Sequence, residues 1–273
     1  MSSTTTYDTP RPETSRRSRA RRPTVLARAV HAEWTKLTSV RSTYGCLLAT
    51  VVATAGLAAL LAWAVAADSV EGRTAVTAFA LSNVAVGFGQ FGLLTLAALA
   101  MTSEFASGSI RTTLAATPAR WAVVVAKAVV IGVPVFVGGF VATCLGTLAA
   151  APILSGGTSG ADDLGDLLAG SLRSATSLGL TGLLVLGLGT VLRSTAGTIV
   201  TAVALSFAPP IIGSMVSNRI VASVLDHLPG GLAGGLSEGA REPYAPVVAA
   251  LLLGAWAAAL LVLGTFTLSR RDT

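Results

Sequence analysis

Six apolar runs decide what this chain can become. They cover residues 43–67, 75–101, 122–149, 174–192, 195–217 and 246–268. The first holds 25 residues without a charge, roughly 37 Å of helix. Bilayer hydrocarbon is about 30 Å thick and offers no water to satisfy a backbone, so each run is predicted to cross as an α-helix. Lys127, near the start of the third run, is the one charge inside them and is predicted to snorkel toward the cytoplasm. The expected fold class is all-α: a polytopic membrane protein with six transmembrane helices. Composition agrees, with 52% hydrophobic and 12% charged residues and a mean hydropathy of +0.73, which excludes a soluble domain. The apolar mass is Ala, Leu, Val and Gly rather than aromatic, and small residues let transmembrane helices approach closely.

Charge sets the expected orientation. Of 19 basic residues, 15 fall on one side if the N-terminus is inside; Arg73, Arg173, Arg219 and Arg241 fall on the other. Eight of 13 acidic residues lean outward. The positive-inside rule then places both termini in the cytoplasm. Only Lys36 and Lys127 among the basic residues are lysine.

Residues 1–23 are polar and Arg-rich and are predicted to be a disordered basic arm. Arg16, Arg17, Arg19, Arg21 and Arg22 suit an anionic lipid surface better than nucleic acid. Arg16 and Arg17 are no twin-arginine export signal, because the first apolar run begins too far downstream, at Thr43. Residues 24–42 have the pattern of an amphipathic helix lying in the interface. Leu26, Val30, Trp34 and Leu37 share one stripe, with Trp34 at headgroup level and Arg28, Lys36 and Arg41 off it. Glu33 can pair with Lys36, a contact of little value at an exposed site.

The segment 104–127 is the longest polar interruption on its side. It is expected to contain a short amphipathic helix ended by Pro118. Ile110 and Leu114 lie four apart on one face, and Glu104 and Arg111 lie seven apart, two helical turns, on another. Such a helix suits a docking surface for another protein; the alternative is a plain turn. On the opposite side, 218–244 is the longest loop. Its apolar first part followed by Pro229, Gly230 and Gly231 suits a re-entrant hairpin, provided other helices shield it.

Gly87, Gly89 and Gly92 match a dinucleotide-binding glycine pattern, but within an apolar run they indicate close packing or a bend. The sequence has no phosphate-binding loop, HExxH or GxSxG motif, and no acidic residue in the cores of the runs, which counts against proton coupling. His31 and His227 lie outside the runs, so a Ser–His pair at membrane depth is not expected. Cys46 and Cys144 are expected to be buried thiols acting as small apolar groups.

Glu33-Trp34-Thr35-Lys36-Leu37, with Ser39 and Val40-Arg41-Ser42-Thr43, resembles the opening motif of actinobacterial ABC transporter permeases of the ABC-2 type export family. Glu104-Phe105, Gly108 to Thr113, Pro118-Ala119-Arg120 and Lys127 are similar to that family's coupling segment. The likeness covers almost the whole chain apart from the Arg-rich arm. It implies a bacterial plasma membrane subunit with residues 43–273 as the transmembrane domain. Partners would be a separate ATPase chain holding ATP and Mg and a second permease copy, as homodimer or heterodimer. No cofactor or bond chemistry would reside on this chain. The resemblance makes Glu104, Gly108, Ile110, Arg111, Leu114, Pro118 and Arg120 the expected coupling residues. Arg111 and Arg120 would be polar contacts to the ATPase, and Ile110 and Leu114 its apolar anchor. The expected cargo is hydrophobic: a drug, antibiotic or lipid. The alternatives are an ion-coupled secondary transporter and a membrane immunity or scaffold protein.

Overall fold

The computed structural model describes residues 24–67, 76–116, 119–154, 164–216, 218–239 and 245–271. The basic arm 1–23, Pro118 and most of the loops expected after residues 67 and 154 lie outside them. The described chain is entirely helical. Helix α1 (Val25–Ser39) precedes α2 (Arg41–Ala67), separated by the extended residue Val40. The second run forms two helices, α3 (Ala78–Gly89) and α4 (Phe91–Ser107), and the short α5 (Ile110–Ala116) follows. Then come α6 (Arg120–Leu154), α7 (Leu164–Leu192), α8 (Thr195–Met215), α9 (Arg219–Asp226), α10 (Pro229–Glu238) and α11 (Pro246–Arg271).

Six spans result, counting α3 and α4 as one, and each is long and apolar enough to cross a bilayer. The chain is thus a multi-pass helical membrane protein. Three spans outrun their apolar cores. Helix α7 starts at Leu164 rather than near Ser174, with Asp166 in its first turn, where the helix dipole favours a negative charge. Helix α6 runs through Pro134 and on to Leu154. Helix α4 continues past Met101 to Ser107, which carries Glu104 into the span.

Helix α7 is the centre of the bundle. It packs against α6 on one side, α11 on another, and α4 and α10 on a third; α2 and α3 close against α6. Leu93, Leu94, Ile131, Val135, Leu184, Val185 and Leu253 meet in the main core. Between helices, Ser82 donates to the Thr143 carbonyl at 2.8 Å, Thr195 to the Thr102 hydroxyl at 2.9 Å and Ser177 to the Ala233 carbonyl at 2.9 Å. Each such bond contributes about 0.6 kcal/mol in a membrane.

The segment expected as a re-entrant hairpin forms two short helices, α9 and α10. Helix α10 packs among α7, α8 and α11 and buries Pro229, Leu232 and Leu236, so protein rather than lipid surrounds its backbone. The opposite end of the bundle gathers α1, α5, the start of α6, the turn between α7 and α8, and the end of α11. Two contacts show this: Arg120 donates to the Leu268 carbonyl, and Arg193 to the Thr267 carbonyl at 3.4 Å.

The glycine pattern in the second run is a packing face, as its apolar setting indicates. A Cβ on Gly92 would lie 2.6 Å from the Cys46 carbonyl oxygen, and one on Gly89 would lie 2.2 Å from the Thr54 hydroxyl oxygen; one on Gly87 would meet nothing within 4 Å. Gly92→Ala is therefore expected to lower the melting temperature in detergent by an amount matching about 1–3 kcal/mol, the range for overpacking. Gly87→Ala is expected to leave it unchanged or raise it, because alanine favours helix. Equal melting of the two variants would refute this packing assignment.

Candidate functional site

Four ionisable side chains from three helices converge where α1 crosses the bundle. Glu33 and Lys36 come from α1, Glu104 from α4 and Lys127 from α6. Local sequence explains each placement. On α1 the inward face is Leu26, Ala29, Val30, Glu33 and Leu37, at helical spacing. Glu33 therefore lies on the buried side of α1 beside the apolar stripe, and Trp34 is 46% exposed on the flank. On α4, Glu104 lies one turn after Met101 and points inward with it. On α6, Lys127 falls between Val124 and Val130 on the buried face.

The four form a closed ring of alternating charge. Lys127 Nζ lies 2.5 Å from Glu33 Oε2 and 2.7 Å from Glu104 Oε1. Lys36 Nζ lies 2.8 Å from Glu33 Oε1 and 3.0 Å from Glu104 Oε1. Each ammonium has a third acceptor: the Ala100 carbonyl at 3.3 Å for Lys127, and the Thr113 hydroxyl at 3.4 Å for Lys36. Two carboxylates and two ammoniums sum to zero, which is what allows Glu33, Glu104 and Lys127 to be buried. Lys127 is 3% exposed, Glu33 7% and Glu104 8%. Glu104 Oε2 is buried and accepts no hydrogen bond from any described residue.

Several sequence expectations are corrected here. Glu33 and Lys36 are not an exposed pair, because Glu33 turns inward to Lys127. Lys127 does not snorkel; two carboxylates hold its ammonium inside the protein. Helix α4 runs three residues past Glu104, so this carboxylate is buried near the end of a span, outside the core of the apolar run. Glu104 and Arg111 share no helix face. Gly108, at a φ of +72°, ends α4 between them in a left-handed conformation that suits glycine.

Beyond Gly108, α5 folds back on the bundle. Ile110 is buried with Met101, Val124, Leu186 and Leu268, and Leu114 packs against the same cluster. Ile110 is thus no free apolar anchor, because this chain's own core covers it, whereas Leu114 is only partly covered. Arg120 donates to the Leu268 carbonyl, where a cation also suits the C-terminal end of the α11 dipole. Arg111, Thr112 and Ala115 form the outward face of α5, and Arg41 is exposed at the start of α2.

The ring gathers residues from both segments that carry the family resemblance, although they are far apart in the chain: Glu33 and Lys36 from one, Glu104 and Lys127 from the other. Sequence reasoning named all four but not their meeting. The available signal was the use of lysine at only these two positions. Compared with known proteins, the chain matches no family model and no curated sequence.

Burial alone would depress the Lys36 ammonium. The hydrogen bonds and charges of Glu33 and Glu104 outweigh it and hold the group above its ordinary value of 10.5. A raised lysine contributes its stability in full below the unfolded value and loses it as pH rises through the folded one. The melting-temperature gap between the wild-type chain and Lys36→Met should thus be constant at neutral pH and close only above the ordinary lysine range. A gap that closes near pH 7 would contradict the ring. Lys127→Met leaves two buried carboxylates with one half-exposed cation, and breaking a buried pair costs about 3–5 kcal/mol. Thermal unfolding of the purified chain should show that loss, and Lys127→Arg should recover little of it, because a planar fork does not fit an ammonium site.

Proposed function

We propose that this chain is the membrane permease subunit of an ATP-driven exporter of the ABC-2 kind, set in a bacterial plasma membrane with both termini in the cytoplasm. One observation carries the reading: the two resembling segments meet in a single ionic ring that also touches α5. A push on α5 from outside the membrane has two routes inward. One runs through Thr113 to Lys36 and the ring, and hence to α1, α4 and α6. The other runs through Ile110 to Val124 on α6 and Leu268 on α11. A coupling segment needs such linkage, because the energy source would be ATP hydrolysed on a separate chain.

The orientation has its own support. Arg28, Lys36, Arg41, Arg111, Arg120, Lys127, Arg193 and Arg270 sit on or beside the helix ends gathered at the α5 end of the bundle. Arg173 and Arg219 lie toward the other. That bias matches a cytoplasmic α5 end. The outward face of α5, with Arg111, is the contact proposed for the ATPase. Arg120 serves α11 instead.

The test is affinity capture of the tagged chain from native membranes in mild detergent. An ATPase with a phosphate-binding loop should be recovered in stoichiometric amount with the wild type, and at least about tenfold less with Arg111→Glu, which equals 1.4 kcal/mol at the interface. Arg111 is exposed, so the variant should melt like the wild type. Capture of the chain alone would overturn the reading.

A second reading draws on Glu104. A buried carboxylate inside a span, with one oxygen unpartnered among the described residues, is a feature of ion-coupled carriers. Transport by the reconstituted chain alone, lost in Glu104→Gln, would select it.

A further inference from the structure

Helix α9 descends alongside the bundle rather than lying across its end, and contacts with two spans fix the depth of its tip. The Trp256 indole N–H donates to the His227 carbonyl at 3.2 Å. Trp256 lies ten residues into α11 from Pro246, roughly 15 Å of helix. Gly230, at the start of α10, packs so closely on the Leu205 and Ser206 carbonyls of α8 that a Cβ there would collide with both. Ser206 lies nine residues before the end of α8 at Met215, roughly 14 Å. From that tip α10 climbs back along α7. Ser177 donates to the Ala233 carbonyl at 2.9 Å, and Gly239 meets Arg173, one turn nearer the start of α7. With the ends of α8 and α11 at headgroup level, the turn between α9 and α10 sits near the middle of a hydrocarbon layer about 30 Å thick.

Asp226 and His227 occupy that turn. Helix α9 carries exposed Ile220, Val221 and Val224 on one side and Arg219, Ser223 and Asp226 on the other. The His227 ring meets the Ser223 carbonyl through Nδ1 at 2.6 Å. Asp226 is half-buried, and its carboxylate makes no hydrogen bond or ion pair among the described residues. The elements packed around the turn bring it no cation. Helix α8 has no charged residue, α10 has only Glu238 at its far end, and Arg270 and Arg271 of α11 lie at least 14 residues beyond Trp256. Arg173 stands at the Gly239 end of α10. Arg219 is seven residues back along α9, roughly 10 Å.

We propose that this turn is a binding site for a lipophilic organic cation, an amine or onium centre on an apolar body. Asp226 supplies the counter-charge, and Trp256, 42% exposed beside the turn, supplies an aromatic face. A carboxylate at this depth is costly without a cation and marks a ligand or ion path. A hard metal ion needs about six oxygen ligands, and among the described residues no three His, Cys, Asp or Glu side chains gather to hold one. A weakly hydrated organic cation needs only the carboxylate, the indole face and apolar walls. The site belongs to this chain whether or not an ATPase drives it, so binding to the purified chain tests it apart from the exporter reading.

The experiment is equilibrium dialysis of radiolabelled tetraphenylphosphonium against the purified full chain in detergent, with the size-matched anion tetraphenylborate as its counterpart. The expected result is one saturable phosphonium per chain and no saturable borate. Asp226→Asn, nearly isosteric, should melt like the wild type and weaken the phosphonium at least about tenfold, as loss of one partner of a desolvated charge pair does. Asp226→Glu should keep most of the affinity. Ser223→Lys, exposed one turn back along α9, brings a competing ammonium to Asp226 and should weaken binding without altering the carboxylate. Wild-type binding by Asp226→Asn, or saturable borate binding, would overturn the assignment. So would displacement of the phosphonium by sodium chloride but not by N-methylglucamine chloride, which would make the turn an inorganic cation site.

Discussion

The architecture at one end of the bundle depends on the mutual neutralisation of four charges, three of them buried and the fourth, Lys36, half-exposed at the edge. Taking an ion out of water costs several kcal/mol even after relaxation. Lys127 is tolerable in α6 only if Glu33 and Glu104 both arrive, and those carboxylates are tolerable only beside Lys127 and Lys36. The ring therefore fixes three helices at once. It sets the depth of α1 against α6, the register of α4 against α6, and, through the Thr113 hydroxyl, the seat of α5. An apolar contact would tolerate sliding by a turn. A closed square with contacts between 2.5 and 3.0 Å does not.

The choice of lysine within the ring is physical. Everywhere else this chain uses arginine, and the described arginines with known contacts do planar work. Arg193 lies 5.0 Å from the centroid of the Phe105 ring and also reaches the Thr267 carbonyl. Its φ is 55°, a conformation that disfavours any residue with a Cβ. Arg120 meets the Leu268 carbonyl, and Arg270 stacks on Phe266. A guanidinium suits ring faces and forked acceptors. The ring instead needs a compact charge whose three donors diverge toward two carboxylates on different helices and one further oxygen. An ammonium provides that geometry.

This contrast also marks how much was legible in the sequence. Spans were readable because an uncharged run of 19 or more residues has one stable solution in lipid, and the span count and the packing glycines followed from that. The ring was not readable. Its members are separated by up to 94 positions in the chain, and periodicity within α1 marked the apolar stripe of Leu26, Val30, Trp34 and Leu37 without showing that Glu33 is buried beside it. Glu33 occupies that face only because a lysine on α6 waits for it, and no local pattern encodes a partner on another helix. Ile110 was misplaced for a related reason. Four-residue spacing identifies a face, but not whether this chain's own core already covers it.

The ring is weak evidence for stability as such. Replacing a whole buried ion cluster by well-packed apolar residues is often neutral or stabilising, so stability alone does not account for charges at this position. What charges provide and methyl groups do not is a sharp dependence on geometry. A displacement of α5 that drew Thr113 and Lys36 away would leave Glu104 with Lys127 alone, and its unpartnered Oε2 would add to the imbalance. In the proposed exporter the ring would link a surface helix to three spans, since α2 follows α1 after the single extended residue Val40. Apolar contacts alone, such as Ile110 on Val124 and Leu268, would yield gradually and transmit less of the same displacement.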